Sequence, residues 1–158
     1  IQQQIGRLGL EQRVMVTGHC PEAEVSAHLL AADIATLPFT GGASFRRGSL
    51  LAALAHGLPV VTTTPTKDQG QKTKEDTHTL TVSLHRSSSV FRPLVDGENA
   101  LLVPPGDAAA LAEAIERMGR DARLRERLAV GGRALAAQFG WDAIAAQHER
   151  LYARLIRR

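Results

Sequence analysis

The sequence predicts an α/β fold, a Rossmann-like three-layer sandwich on a parallel sheet, and three observations carry that prediction. Short runs rich in Val, Ile and Leu recur between longer segments of helical periodicity. The runs are apolar throughout instead of alternating, as strands covered on both faces are. Gly, Pro and Asp-Gly signals stand where one pattern changes to the other, and helices inserted between strands make the strands parallel. With 158 residues, 44% of them hydrophobic and 22% charged, the chain can form one domain with a sizeable core.

The opening stretch IQQQIGRLGL sets Ile1, Ile5 and Leu8 at near-helical spacing, so the chain is expected to begin in mid-fold, truncated at its amino end. Arg13 to Thr17 is apolar and β-branched, is closed by Gly18, and predicts a buried strand. Pro21 and Glu22 suit a first helical turn, and Val25, His28, Leu29 and Ala32 carry the helix up to Asp33. Ile34 to Pro38 predicts a second strand, which runs into the loop FTGGASF, where consecutive glycines permit backbone angles closed to other residues. From Arg47, the segment RGSLLAALAHG places Leu50, Leu51, Leu54 and Ala55 on one side of a helix that Gly57 ends. Leu58 to Thr62 predicts the third strand.

Residues 64 to 92 differ in character: their opening run TPTKDQGQKTKEDTHT is almost free of large apolar side chains and cannot offset its ordering entropy, so a mobile polar loop within the single domain 1–158 is expected. Its later half contains TLTVSL, which alternates enough to pair at a sheet edge. Asp96-Gly97 signals a tight turn, Ala100 to Val103 a fourth strand, and Pro104-Pro105-Gly106 its end. Three helices follow. Asp107 caps one with a stripe of Leu111, Ala114, Ile115 and Met118; Asp121 starts a second with Leu124 and Leu128; Asp142 starts a third with Ile144, Ala145, Leu151 and Leu155. In a parallel sheet of this kind the loops at 18 to 20, 38 to 47 and 62 to 66 share one rim, at the carboxyl ends of the strands.

Composition narrows the function. Lys and Arg number 19 against 16 Asp and Glu, a net charge of +3 that is too weak to imply a nucleic-acid partner. Cys20 is the only cysteine, which excludes an internal disulfide and a cysteine-rich zinc site. No apolar run reaches the roughly 18 residues of a membrane span, and no secretory leader opens the chain, so a cytoplasmic setting is expected. The arginines at 117, 120, 123, 125 and 127 alternate with acidic residues as a solvated helix face does. No GxSxG, HExxH, Walker or GxGxxG pattern occurs, and His78, His85 and His148 have no metal-ligand spacing.

The strongest local feature is TGGASFRRGSLLAALAHG, a glycine-containing loop that carries Arg46 and Arg47 into a helix start. A helix amino terminus presents unpaired N–H groups and partial positive charge, and arginines add charge-assisted hydrogen bonds to an anion. Gly48 lets the backbone approach closely, and Ser49 offers a hydroxyl. The plainer alternative is a solvated arginine pair beside a glycine that only turns the chain. His19 follows the first expected strand on the same rim, either as a ligand contact or as an ordinary loop residue; His28 and His56 read as packed or capping groups.

Taken in order, RVMVTGHCPEAEVSAHLLAADIATLPF, GSLLAALAHGLPVVTT, LVDGENALLVPPGDAAALAEAI and FGWDAIAAQHERLY resemble the carboxyl-terminal domain of group 1 retaining glycosyltransferases of the GT-B fold. The resemblance implies a domain that binds a nucleotide-diphosphate sugar without requiring a metal or other cofactor. It also implies an amino-terminal acceptor domain, and a basic pair on a first strand, that this chain does not contain. The family carries two glutamates eight positions apart, and by alignment these fall on Ser44 and Ala52, so the ribose contact by carboxylate is lost. The implied donor-binding set is His19, Ser44, Arg46, Arg47, Gly48, Ser49 and Leu50; no catalytic residue is assigned. The last helix, residues 141 to 156, resembles the one that crosses back to the amino-terminal domain, and its apolar face with Trp141, Leu151, Tyr152 and Leu155, partly bare without that domain, could drive self-association. Two other readings stay open: a non-catalytic binding or scaffold module of the same fold, and a sugar-nucleotide epimerase of the same architecture.

Overall fold

The computed structural model describes residues 2–65 and 94–156. Helix α1 (Gln2–Arg7) and helix α2 (Glu22–Ala31) precede strand β1 (Ala35–Leu37); α3 (Gly48–Ala55) leads into β2 (Val60–Thr63). Strand β3 (Leu101–Val103) is followed by α4 (Ala108–Arg120), α5 (Ala122–Ala136), a single 3₁₀ turn at Ala137–Phe139 and α6 (Trp141–Ile156). The expected 64–92 loop, from residue 66 on, and its TLTVSL strand lie outside the described residues.

The three strands form one sheet in the order β1-β2-β3, with both pairings parallel: Ala35 faces Val60 in register, and Val61 faces Leu101. Successive side chains point to opposite faces, which sorts the core into two clusters. On one face Val60 packs with Leu50, Ala53 and Leu54 of α3 and with Leu135 of α5. On the other, Val61, Leu101 and Val103 meet Met118 of α4 and Leu124 and Leu128 of α5. Helix α5 thus reaches from one cluster to the other, and the sheet is sandwiched between helices as the apolar runs predict.

Local chemistry explains the helix ends. Asp107 and Asp121 stand before α4 and α5, where Oδ1 of each accepts a 2.9 Å hydrogen bond from the amide three residues on, Ala110 and Leu124. Gly57 ends α3 at φ +75°, with the Leu58 amide donating back to the Ala53 carbonyl at 3.0 Å. His56, just before it, ties α3 to α2. Its Nδ1 donates to the Ala52 carbonyl at 2.8 Å, and its Nε2 and the Ser26 hydroxyl share a 2.7 Å hydrogen bond, with Nε2 accepting in the neutral ring. Gly131 and Gly132 let α5 close on its neighbours: a Cβ at 131 would run into the Glu98 carbonyl oxygen, and one at 132 would sit 2.8 Å from Leu54 Cδ2.

One expected element is corrected. Residues 13 to 17 form no strand; Val14, Met15 and Val16 are exposed, Met15 by 81%. A strand exists only where a neighbour takes its backbone hydrogen bonds, and among the described residues the sheet holds β1, β2 and β3 alone. Other boundaries shift by a few residues. The second, third and fourth expected strands narrow to Ala35–Leu37, Val60–Thr63 and Leu101–Val103, and the last helix opens at Trp141 instead of Asp142. Among the described residues no helix is long and apolar enough to cross a membrane.

Candidate functional site

The carboxyl ends of the strands meet at one rim, and two buried threonines build it. Thr62 Oγ1 donates to the Leu37 carbonyl and Thr63 Oγ1 to the Phe39 carbonyl, both at 2.8 Å, so β2 grips the chain as it leaves β1. Gly42, at φ +79°, reverses the loop and donates to the Phe39 carbonyl at 3.1 Å, while the Ala43 amide returns to the Thr63 carbonyl at 3.3 Å. The loop's position is therefore fixed by the sheet before the chain enters α3.

Between loop and helix, a compact turn fixes the backbone of the two arginines. The Arg47 amide donates to the Ser44 carbonyl at 3.0 Å, and the Arg46 amide to Ser44 Oγ at 3.3 Å. Ser44 accordingly serves as a hinge for the turn. Arg47 occupies the N-cap position of α3, and no side chain caps the helix. The Arg47 guanidinium carbon lies 4.4 Å above the centre of the Phe39 ring, which carries it back over the end of β1. Both arginines, Gly48 and Ser49 are exposed, and a Cβ at Gly48 would meet only open space. The arrangement can do one thing well: offer an anion two guanidinium groups and the free first amides of a helix.

The remaining sequence-predicted residues sit differently. Leu50 is fully buried in the core, and its amide donates to the Arg47 carbonyl at 3.1 Å, so it anchors the helix start from below and has no atom to present to a ligand. His19 is exposed, next to Gly18 at φ +67°, and no described hydrogen bond or ion pair brings it to the α3 start. With 13 to 17 out of the sheet, the 18 to 20 loop has no strand end to place it on the rim. Ala52 is half-buried on α3 and offers no polar atom beyond its backbone.

A cleft of about 210 Å³ lies at the carboxyl ends of the strands, lined by Pro38, Thr40, Thr63, Val103, Gly106 and Asp107 among others. The sequence already places Pro38, Thr40 and Thr63 on the expected rim; the wall from Val103 to Leu111 comes from a segment far along the chain and lies outside the sequence expectations. Its lining is mainly apolar, and its one carboxylate, Asp107, already caps α4 and repels a phosphate. The arginines of the last third behave as structural groups: Arg127 Nε donates to the Gly97 carbonyl at 3.0 Å, and Arg125 closes the end of α4 through the carbonyls of Met118 and Gly119. Cys20, Glu24 and His28 converge on the face of α2, an arrangement outside the sequence expectations whose signal is their four-residue spacing.

A family model described as glycosyl transferases group 1 matches residues 1–121. The chain is 31% identical over 144 residues to a phosphatidyl-myo-inositol mannosyltransferase of Mycobacterium leprae, covering 91% of this chain and 32% of that protein. The enzyme of that name from Mycobacterium tuberculosis H37Rv is 31% identical over 153 residues, 94% of this chain and 34% of the relative. The chain thus spans about a third of the length of the curated relatives it matches. Sucrose-phosphate synthase from Thermosynechococcus elongatus superposes with a TM-score of 0.65 at 27% identity over 98% of this chain and 33% of that one. Anabaena Alr3699/HepE in complex with UDP-glucose gives 0.69 at 25% identity over 96% and 35%. With its ordered sequence segments, its sandwiched parallel sheet and these matches, the chain belongs to the group 1 glycosyltransferases, as a domain of GT-B architecture.

Proposed function

We propose that this domain binds the nucleotide-diphosphate sugar of a glycosyl transfer reaction, with the diphosphate at the start of α3. The observation that carries this is the exposed, uncapped helix start flanked by Arg46 and Arg47. A diphosphate there accepts from the amides of Gly48 and Ser49 and from the Ser49 hydroxyl, while the guanidinium groups neutralise its charge. In this reading the positive charge comes from the chain, and the donor is held without a metal. Support comes from a relative of the same architecture whose structure contains UDP-glucose.

In the complete reaction the leaving group is the nucleoside diphosphate, on which negative charge accumulates as the glycosidic bond breaks. Arginines and helix amides placed at that diphosphate stabilise the transition state more than the ground state, which is the catalytic contribution this domain can make. The acceptor would be held by the part of the protein outside this chain, and transfer would proceed with retention at the anomeric carbon. A cytoplasmic setting fits the single free thiol, Cys20. The exposed Trp141, Tyr152, Leu155 and Ile156 on α6 support association with a second copy, which sedimentation of the chain checks.

A second reading, a non-catalytic binding module, follows from the resemblance, which implies carboxylates at the positions that Ser44 and Ala52 occupy in this chain. The full-length protein separates the two. Incubated with UDP-, GDP- and ADP-sugars and a panel of acceptors, a transferase yields a glycosylated product, whose anomeric configuration is then read, and Arg46→Ala/Arg47→Ala suppresses it. Binding of a donor without turnover selects the module, and failure of every nucleotide to bind overturns both.

A further inference from the structure

We propose that Cys20, Glu24 and His28 form a surface site for a divalent cation of borderline softness, of the zinc class. The sequence C-x-x-x-E-x-x-x-H spaces three different donor atoms four residues apart. On a helix that spacing stacks side chains along one face. Glu24 and His28 lie on α2 itself, and Cys20 stands just before Pro21, the residue at the helix N-cap position. Their ligand-capable atoms, a sulfur, a carboxylate oxygen and a ring nitrogen, all lie within 4.8 Å of one another. His28 Nε2 is already 3.8 Å from Glu24 Oε1.

A tetrahedral ion bound at about 2.3 Å to sulfur and about 2.0–2.2 Å to nitrogen and oxygen sets its ligands roughly 3.4–3.6 Å apart, a closure of up to about 1 Å from the present spacing. Glu24 and His28 are exposed and free to change rotamer. Among the described residues, the bond Cys20 Sγ surrenders is a long one, 3.7 Å, to the Thr17 carbonyl. One sulfur, one imidazole and one carboxylate do not suit magnesium or calcium, which take all-oxygen shells; they suit zinc or cobalt(II), with water in the fourth position. Binding converts the Cys20 thiol to a thiolate and releases its proton to solvent. The thiolate and the Glu24 carboxylate then balance the two positive charges of the ion, and His28 binds as the neutral ring.

The ion would clamp the turn before α2 to the first two turns of the helix. Helix α2 has no buried residue and no side-chain cap, so its start has little else to hold it. The site does not depend on the donor-binding reading, and nothing in it touches the α3 start.

Cobalt(II) titrated into the 158-residue chain, reduced and free of chelator, tests the proposal. The expected result is a saturable near-ultraviolet thiolate-to-cobalt band at one equivalent, displaced by zinc, with proton release and slower amide exchange in α2. Cys20→Ser abolishes the band. Glu24→Gln and His28→Ala each weaken affinity by at least the roughly tenfold that loss of an outer-sphere partner costs, while His148→Ala does not. All of these side chains are exposed or half-exposed, and unchanged far-ultraviolet dichroism confirms that the variants fold. Absence of the band, or unchanged affinity in either Glu24→Gln or His28→Ala, overturns the site.

Discussion

Helices α4 and α5 and helix α3 begin in opposite ways. The first two put an aspartate at the N-cap, where the carboxylate accepts an amide hydrogen bond and favours the positive end of the helix dipole. Helix α3 puts an arginine there, with a second arginine before it and no capping side chain. For stability this is the wrong sign of charge in the wrong place, costing about 0.3–1 kcal/mol per cation near the dipole and about 1 kcal/mol for the absent cap. The same chain uses the stabilising solution twice; α2 also lacks a side-chain cap, so what sets the α3 start apart is its arginine pair, which on the proposed reading serves an outside anion. Aspartate closes a helix end upon itself; arginine leaves it open to a ligand.

The sharpest break of this contrast is Arg46→Ala with Arg47→Ala. Nucleoside diphosphate affinity, measured by calorimetry, is expected to fall by about 2–5 kcal/mol, because each guanidinium contributes a charge-assisted bond. The wild-type affinity should also weaken as salt rises, since both groups are exposed. Next in size is Gly131→Ala in α5, which drives a methyl into the Glu98 carbonyl and is expected to cost about 1–3 kcal/mol in chemical denaturation. Gly48→Ala, with open space before it, leaves stability nearly unchanged and weakens only the ligand.

Smaller effects separate the helix starts directly. Asp121→Ala or Asp107→Ala is expected to destabilise by about 1 kcal/mol through loss of the cap, with donor affinity unchanged for Asp121→Ala. Arg47→Asp works the other way. It supplies a cap and favours the dipole but gives up the stacking on Phe39, for a net stabilisation of about 0.5 kcal/mol alongside lost diphosphate binding. A variant that is both more stable and unable to bind is the signature of a helix start whose charge serves a ligand.

What the sequence reveals follows the range of the interactions involved. Asp107, Asp121 and Gly57 act on amides and carbonyls a few residues away, so their roles are legible from spacing alone. The runs around Val60 and Leu101 are legible because burial on both faces leaves no charged position. RVMVT has the same composition but forms no strand, since pairing depends on a neighbour supplied from elsewhere in the chain. At the site, Arg46 and Arg47 stand out in the sequence, whereas the stacking of Arg47 on Phe39 and the threonine grip on the loop are long-range and invisible there. Leu50 belonged to two patterns at once, the helix start and its apolar stripe, and burial decides for the stripe.

The central claim is tested most directly by amide chemical shifts during titration of the chain with UDP, GDP or ADP. The account predicts that one of them moves the amides of Gly48 and Ser49 most strongly, and that the movement disappears in Arg46→Ala/Arg47→Ala while the amides of Ala110 and Leu124, held by their aspartates, stay in place. Unmoved Gly48 and Ser49 amides with every nucleotide, or equal movement at the capped helix starts, would contradict it.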